Sequence, residues 1–325
     1  MAVTTIYDVA REAGVSPATV SRVFNGISVS PEKAEAVRRA VDALGFVPNR
    51  TARTLRTQHA QAVALVIPDI ENPYYTEMAR GIEDIASEAG YSVVLCNSDG
   101  DPDKEASYLR IAASTHMAGV LIAAASPTSD LAPFAAGGRP VVAVDRRAGD
   151  VDAVVMANRE AGAEATARLW DAGFRRIACV SGPADIETAR ERALGWADAL
   201  RARGVEPEPA LLQHSTFRVE GGRECVDALF SGVDRPDAVV AGNNLLGVGV
   251  LQRLAELDLA PPRTGVAVIG SLPFATTPAD FATVVRLPAR EMGMTAARML
   301  LERIGGDDEP PRLVTLRGEV RPAGR

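Results

Sequence analysis

Cysteine, histidine and lysine are scarce in this chain of 325 residues, and the first two scarcities each close off a class of function. The three cysteines, Cys96, Cys179 and Cys225, stand far apart in apolar surroundings with no CxxC pair. Neither a disulfide framework nor a zinc site is read from them, and they are expected to be small buried hydrophobes in a reducing compartment. His59, His116 and His214 are the only histidines, and no acid–base constellation forms around them in the sequence. Lysine occurs only at Lys33 and Lys104, the other basic residues being arginine, and no function is drawn from that bias. No apolar run approaches the roughly 18 residues of a membrane span. The N-terminus lacks a charged segment followed by an apolar stretch, so no secretory signal is read. A soluble cytoplasmic protein without metal or cofactor is expected.

What is present is an uneven distribution of charge. The formal net charge is −7. Residues 1–59 hold eight Arg or Lys against five Asp or Glu, a balance of +3, which leaves 27 against 37, or −10, in the remainder. A small basic unit on an acidic body fits a partner that is itself an anionic polymer.

The first segment reads as three short helices. Thr5 with Asp8 three residues on is a capping box, and Ile6, Val9, Ala10 and Ala13 share one face. Gly14 supplies a turn, and Ser16 followed by Pro17 opens a second helix with Val20, Val23 and Phe24 inward. Ser30 and Pro31 repeat the device for a third helix, with Val37, Ala40, Val41 and Leu44 inward and Gly45 as its stop. Helix, glycine turn and helix at this spacing is a helix-turn-helix.

From Ala62 onward short apolar strands alternate with amphipathic helices, the pattern of parallel sheets covered on both faces. Strands are expected at Val63–Ile67, Ser92–Cys96, Gly119–Ile122, Val141–Val144, Ala153–Met156, Ile177–Val180, Ala238–Ala241, Val266–Gly270 and Thr283–Arg286. These are too many for one small sheet, so two doubly wound lobes with the carboxyl ends of their strands facing a shared cleft are expected. The fold class is α/β: an all-α headpiece over 1–47, a hinge helix or linker over 48–61, and a two-lobed body over 62–325. A stretch as short as 49–56 is marginal as an isolated helix.

Two rivals use the same scaffold. An exported solute-binding protein would need a secretory signal and would have no use for residues 1–60. A nucleotide-dependent enzyme would want a phosphate-cradling glycine loop after the first strand, but 66–73 reads ValIleProAspIleGluAsnPro.

The strings TIYDVAREAGVSPATVSRVFNG at 5–26, GFVPNRTARTLR at 45–56 and VALVIPDIENPYYTEMARGIEDIASEAGYSVVLCNSDGD at 63–101 together resemble the lac repressor family. So do VDRR at 144–147, NREAGAEAT at 158–166, RRIACVSGP at 175–183, ARERALGW at 189–196 and PAREMG at 288–293. The resemblance runs over essentially the whole chain. It implies a bacterial transcriptional regulator, not an enzyme, with a periplasmic-binding-protein-like sensor. The implied partners are a near-palindromic operator DNA, a second copy of the chain and a small effector, sugar-like or anionic, held between the lobes.

The resemblance also implies which residues act. The second helix would enter the major groove with Pro17, Ala18 and Arg22 facing bases, Arg22 alone carrying a forked donor. Thr5, Ser16, Thr19, Ser21 and Asn25 suit phosphates, which position without specifying. In the linker, Asn49, Ala52, Arg53 and Arg56 flank the operator, and Leu55 matches a leucine that paired hinge helices push into the minor groove. Tyr74, Tyr75, Asp145, Arg146 and Arg192 are nominated for the effector, with Phe217, Asn243, Asn244 and Leu272. Leu272, Leu287, Asn244 and Ala157 stand where the family commonly carries polar or acidic residues. On that ground a less hydroxylated, negatively charged effector anchored by Arg192 is expected.

Overall fold

The computed structural model describes residues 4–24, 27–46, 60–126, 128–272, 282–321 and 323. They form two compact units, Met1–Ala60 and Gln61–Arg325.

The first unit holds helices α1 (Ile6–Glu12), α2 (Pro17–Phe24) and α3 (Pro31–Leu44). Asp8 accepts hydrogen bonds from the Thr5 backbone N–H at 2.9 Å and the Thr5 hydroxyl at 2.6 Å, which closes the start of α1. Ser16 Oγ accepts from Thr19 N at 3.2 Å and so caps α2. Ser30 occupies the N-cap of α3 but makes no side-chain cap bond; Pro31 takes the first position, where a missing N–H leaves no helical bond unmade. Gly14 and Gly45 adopt φ of +65° and +55°, values that a side chain would strain. Val9, Ala10, Val20, Val37, Ala40 and Phe46 form the small core.

The second unit begins with a parallel sheet and its helices: β1 (Ala60–Ile67), α4 (Pro73–Glu88), β2 (Ser92–Asn97), α5 (Pro102–Ser114), β3 (Met117–Ile122), α6 (Ala132–Ala135), β4 (Val141–Asp145) and β5 (Asp152–Met156). The chain then crosses to a second lobe: α7 (Asn158–Asp171), β6 (Ile177–Ser181), α8 (Glu187–Arg201), β7 (Leu212–His214), α9 (Val219–Phe230), β8 (Ala238–Ala241), α10 (Asn244–Glu256), β9 (Gly265–Ile269) and β10 (Thr283–Arg286). It returns for α11 (Ala289–Ile304) and β11 (Leu313–Leu316), and ends with β12 (Glu319–Arg321). The strand orders are β11-β5-β4-β3-β1-β2 and β12-β10-β9-β8-β6-β7. The pairings are parallel apart from β12, which runs antiparallel to β10. Helix α7 therefore packs in the lobe opposite to the strand that precedes it, and so does α11. Three crossovers, at 156–158, 286–289 and 316–319, join the lobes.

Strands β3, β4, β6, β8 and β9 are buried throughout, as central strands of covered parallel sheets must be. The nine expected strands are present, two with the expected bounds and the others with ends shifted by one to three residues, while β7, β11 and β12 were not expected.

Helices pack in pairs through reciprocal glycines. A Cβ on Gly162 would lie 2.1 Å from the Arg192 carbonyl oxygen, and one on Gly195 2.0 Å from that of Arg159. Gly81 with Gly293, and Gly222 with Gly249, do the same for α4–α11 and α9–α10. Alanine is the better helix former by ~1 kcal/mol. That gain is outweighed here, because the contact is with backbone that cannot turn away. Gly162→Ala is expected to lower stability in urea by about 1–3 kcal/mol; a rise in the denaturation midpoint would contradict the close approach.

Cys179 and Cys225 are buried, and burial pushes their thiols up to about 12 and about 11. Cys96, expected buried, is only partly so, because β2 is an edge strand whose faces are incompletely covered.

Candidate functional site

A cavity of about 510 Å³ opens where the carboxyl ends of β1, β3 and β4 face those of β6, β8 and β9. It lies at the switch points of both sheets, where strand order reverses and loops splay apart.

On the first lobe, Asn72 caps α4 by accepting from Tyr74 N at 3.0 Å, with Pro73 at the first helical position, so Tyr74 and Tyr75 occupy the first turn. Both hydroxyls donate to one carboxylate: Tyr74 Oη to Asp145 Oδ1 and Tyr75 Oη to Asp145 Oδ2, each at 3.0 Å. Burial, then the neighbouring Asp145, raises the pKa of both phenols, so they remain neutral donors. Asp145 has φ +65°, a left-handed conformation that aspartate tolerates better than most residues. Arg146 is buried and donates through Nη1 to Ala124 O at 2.9 Å, while Nε is 3.6 Å from Asp145 Oδ2. Burial pulls its pKa down, but Tyr75 and Asp145 together outweigh that and the net shift is upward.

On the second lobe, Arg192 on α8 donates through Nε to Asn158 Oδ1 at 2.8 Å and through Nη1 to Gly242 O at 2.7 Å. Burial, its largest influence, lowers its pKa. Among the described residues no carboxylate lies within ion-pair distance of it. Asn243 caps α10 by accepting from Leu246 N at 2.8 Å. Asn244 reaches across to the first lobe, its amide donating to Asn72 Oδ1 at 3.0 Å. The Phe217 ring lies over Gly182, where a Cβ would come within 2.3 Å of the ring, so only glycine admits it there. At the mouth, Arg147 meets Glu187 at 2.8 Å and Arg218 meets Glu71 at 3.0 Å, each pair joining the two lobes.

Eight of the nine nominated effector residues thus line the cavity. Leu272 does not; it is half-buried and packs against the sensor core. Ala157 also lies outside the lining, at the crossover into α7. Asn244 remains a polar group in the wall, and Leu287 alone of the four departures is an apolar lining residue. The premise of an anionic effector is weakened accordingly. Four carboxylates (Asp69, Asp99, Asp145, Asp185) line the cavity against three guanidiniums (Arg146, Arg192, Arg218). Asn72, Asn158 and Arg218 were not nominated from the sequence. Asn72 carried a readable signal, since Asn followed by Pro opens a helix.

In the headpiece, Ala18 and Arg22 are exposed and one turn apart on α2, while Pro17, Thr19 and Ser21 are partly exposed. Arg22 forms no ion pair among the described residues, unlike Arg11, which meets Asp8 at 3.3 Å. Thr5 and Ser16 are exposed, with side chains committed to the caps. Asn25, Asn49, Ala52, Arg53, Leu55 and Arg56 lie outside the described residues.

A helix-turn-helix unit followed by a two-lobed, cleft-bearing body defines the class: a DNA-binding regulator that carries its own ligand sensor. Residues 5–49 match the family described as bacterial regulatory proteins, lacI family, and residues 60–317 match the periplasmic binding proteins and sugar binding domain of the LacI family. The chain belongs to the LacI family and is a transcriptional regulator, not an enzyme. It is 36% identical over 331 residues to the HTH-type transcriptional regulator CelR of Thermobifida fusca, covering 95% of each chain. It is 33% identical to the ribose operon repressor of Escherichia coli, covering 92% of this chain and 93% of that one. Among solved structures, a CelR–cellobiose complex superposes with TM-score 0.73 at 31% identity, covering 99% of this chain and 100% of that one. A lac repressor dimer bound to operator and the anti-inducer ONPF superposes with TM-score 0.88 at 21% identity over 99% of each, a likeness of fold. No helix among the described residues is long and apolar enough to cross a membrane.

Proposed function

We propose that this regulator is a homodimeric repressor whose operator affinity is set by a neutral, hydroxyl-rich sugar bound between the lobes. Residues 1–47 read the major groove, with Arg22 as the base-reading fork, and 48–61 form a hinge whose Leu55 wedges the minor groove. Residues 62–325 sense the effector and dimerise.

The observation that carries the sugar reading is the mixed polar wall. Asp145, the asparagines and the lone pairs of the tyrosine hydroxyls offer acceptors, Arg146 and Arg192 offer donors, and Phe217 offers a flat apolar face. Hydroxyls need donors and acceptors together, and a site built around them rejects analogues that leave its polar groups unpaired. The cellobiose complex of CelR and the ribose repressor are consistent with that class. A sugar touching both walls favours one angle between the lobes, and the three crossovers are the chain segments through which that preference must pass.

A second reading keeps an anionic effector, favoured by one observation: the deeply buried charges comprise two guanidiniums, Arg146 and Arg192, against one carboxylate lining the cavity, Asp145. Calorimetry with cellobiose and ribose, against the matching aldonic acids, separates the two. Saturable binding of a neutral sugar, weakened about tenfold or more in Arg192→Ala, is the expected result. Binding of the acids with none of the neutral sugars would transfer the conclusion to the second reading.

A further inference from the structure

Glu105 lies outside the cavity and plays no part in the site described above, yet it is 2% exposed. It sits on the first turn of α5, a helix opened by Asp101, whose carboxylate accepts from Asp103 N at 2.8 Å. Among the described residues Glu105 has no ion-pair partner. A buried carboxylate without a counter-charge is costly unless its oxygens are filled by donors. Both are filled from a single loop. Oε2 accepts from Ala125 N at 2.7 Å, and Oε1 accepts from the Ser129 hydroxyl, whose oxygen in turn accepts from Ser126 N at 3.2 Å.

The Ala125 N–H and the Ala124 C=O belong to one planar trans peptide, so they point in opposite directions. Glu105 grips the N–H from behind the wall. The carbonyl on the other side accepts from Arg146 Nη1 at 2.9 Å. This is the shortest bond that fixes the Arg146 guanidinium, since Nη2 reaches Tyr75 Oη only at 3.5 Å and Nε has no hydrogen-bond partner. A carboxylate on the N–H also polarises the peptide and strengthens its carbonyl as an acceptor. The negative charge of Glu105 is felt at Arg146 as well.

We infer that Glu105 is a positioning residue for effector recognition: by holding the 124–125 peptide in one orientation from outside the cavity, it fixes the plane in which Arg146 presents its guanidinium to the ligand. The inference rests on the sugar-binding reading only for what the ligand is; the alignment of Arg146 is testable without any ligand.

The test uses Glu105→Ala, which removes both acceptors, Glu105→Gln, which keeps an acceptor for Ala125 and lets the Ser129 hydroxyl turn to accept, and Ser129→Ala, which removes one bond. In the full-length, ligand-free protein the Arg146 Nε–H resonance, assigned by its loss in Arg146→Lys, is expected to move in Glu105→Ala and Ser129→Ala and to return toward the wild-type position in Glu105→Gln. Cellobiose affinity is expected to fall roughly tenfold in Glu105→Ala and to recover in Glu105→Gln. An Arg146 resonance that stays put in the alanine variants overturns the inference, as does wild-type cellobiose affinity in folded Glu105→Ala. Should Glu105→Ala not fold, Ser129→Ala alone decides. Should the wild type not bind cellobiose, the sugar reading is lost while the resonance still decides this one.

Discussion

Asp145→Asn is expected to weaken effector binding about 100-fold and to lower global stability by about 3 kcal/mol. Asparagine is the informative replacement because it matches aspartate in size and tolerates the φ of +65° found there, so neither cavity nor backbone strain confuses the outcome. What it removes is the charge on which Tyr74, Tyr75 and Arg146 converge. One amide oxygen can satisfy one phenol, and the second must turn its proton elsewhere. Arg146 meanwhile loses the carboxylate that offsets its burial, and a buried cation left unpaired costs more than the pair was worth. Calorimetry measures the first effect and urea denaturation the second. Affinity unchanged in a destabilised protein would make Asp145 a structural counter-ion alone.

The second large effect is expected at the hinge. Leu55 is a large apolar side chain between Arg53 and Arg56 in an otherwise polar linker sequence. If it enters the minor groove, Leu55→Ala forfeits the contact that repays base unstacking, and operator affinity falls by about 2 kcal/mol, roughly 30-fold. Sugar affinity and sensor stability stay as they are. Bending assays by gel mobility check it directly: a reduced bend angle supports the wedge, and a bend angle equal to that of wild type makes Leu55 ordinary packing.

The headpiece is legible from sequence because its signals are local. Thr5 with Asp8, Ser16 with Pro17, and glycines at the two turns each act within four residues, and the caps form as those spacings require apart from Ser30. The central strands are legible because burial on both faces demands unbroken apolar runs. Strands β7, β11 and β12 are not, since they are three or four residues long at or near sheet edges, and β11 alternates exposed with half-buried positions. The site is legible one residue at a time but not in its connections. Nothing in the sequence says that Tyr74 and Tyr75 share Asp145 across 71 and 70 residues, or that Asn244 meets Asn72 across 172. Leu272 shows the cost: its position in a motif suggested the cavity wall, and in the fold it packs against the sensor core instead.

The central claim is that ligand in the cleft and operator at the headpiece are coupled, and such coupling must be reciprocal. Fluorescence anisotropy with a labelled operator, titrated with the full-length protein at fixed salt in the presence and absence of saturating cellobiose, tests it most directly. The account predicts that sugar shifts the operator Kd by about fivefold or more, and that Asp145→Asn binds operator without responding to the same sugar. An operator Kd identical with and without sugar, in a wild-type protein that calorimetry shows to be saturated, would contradict it.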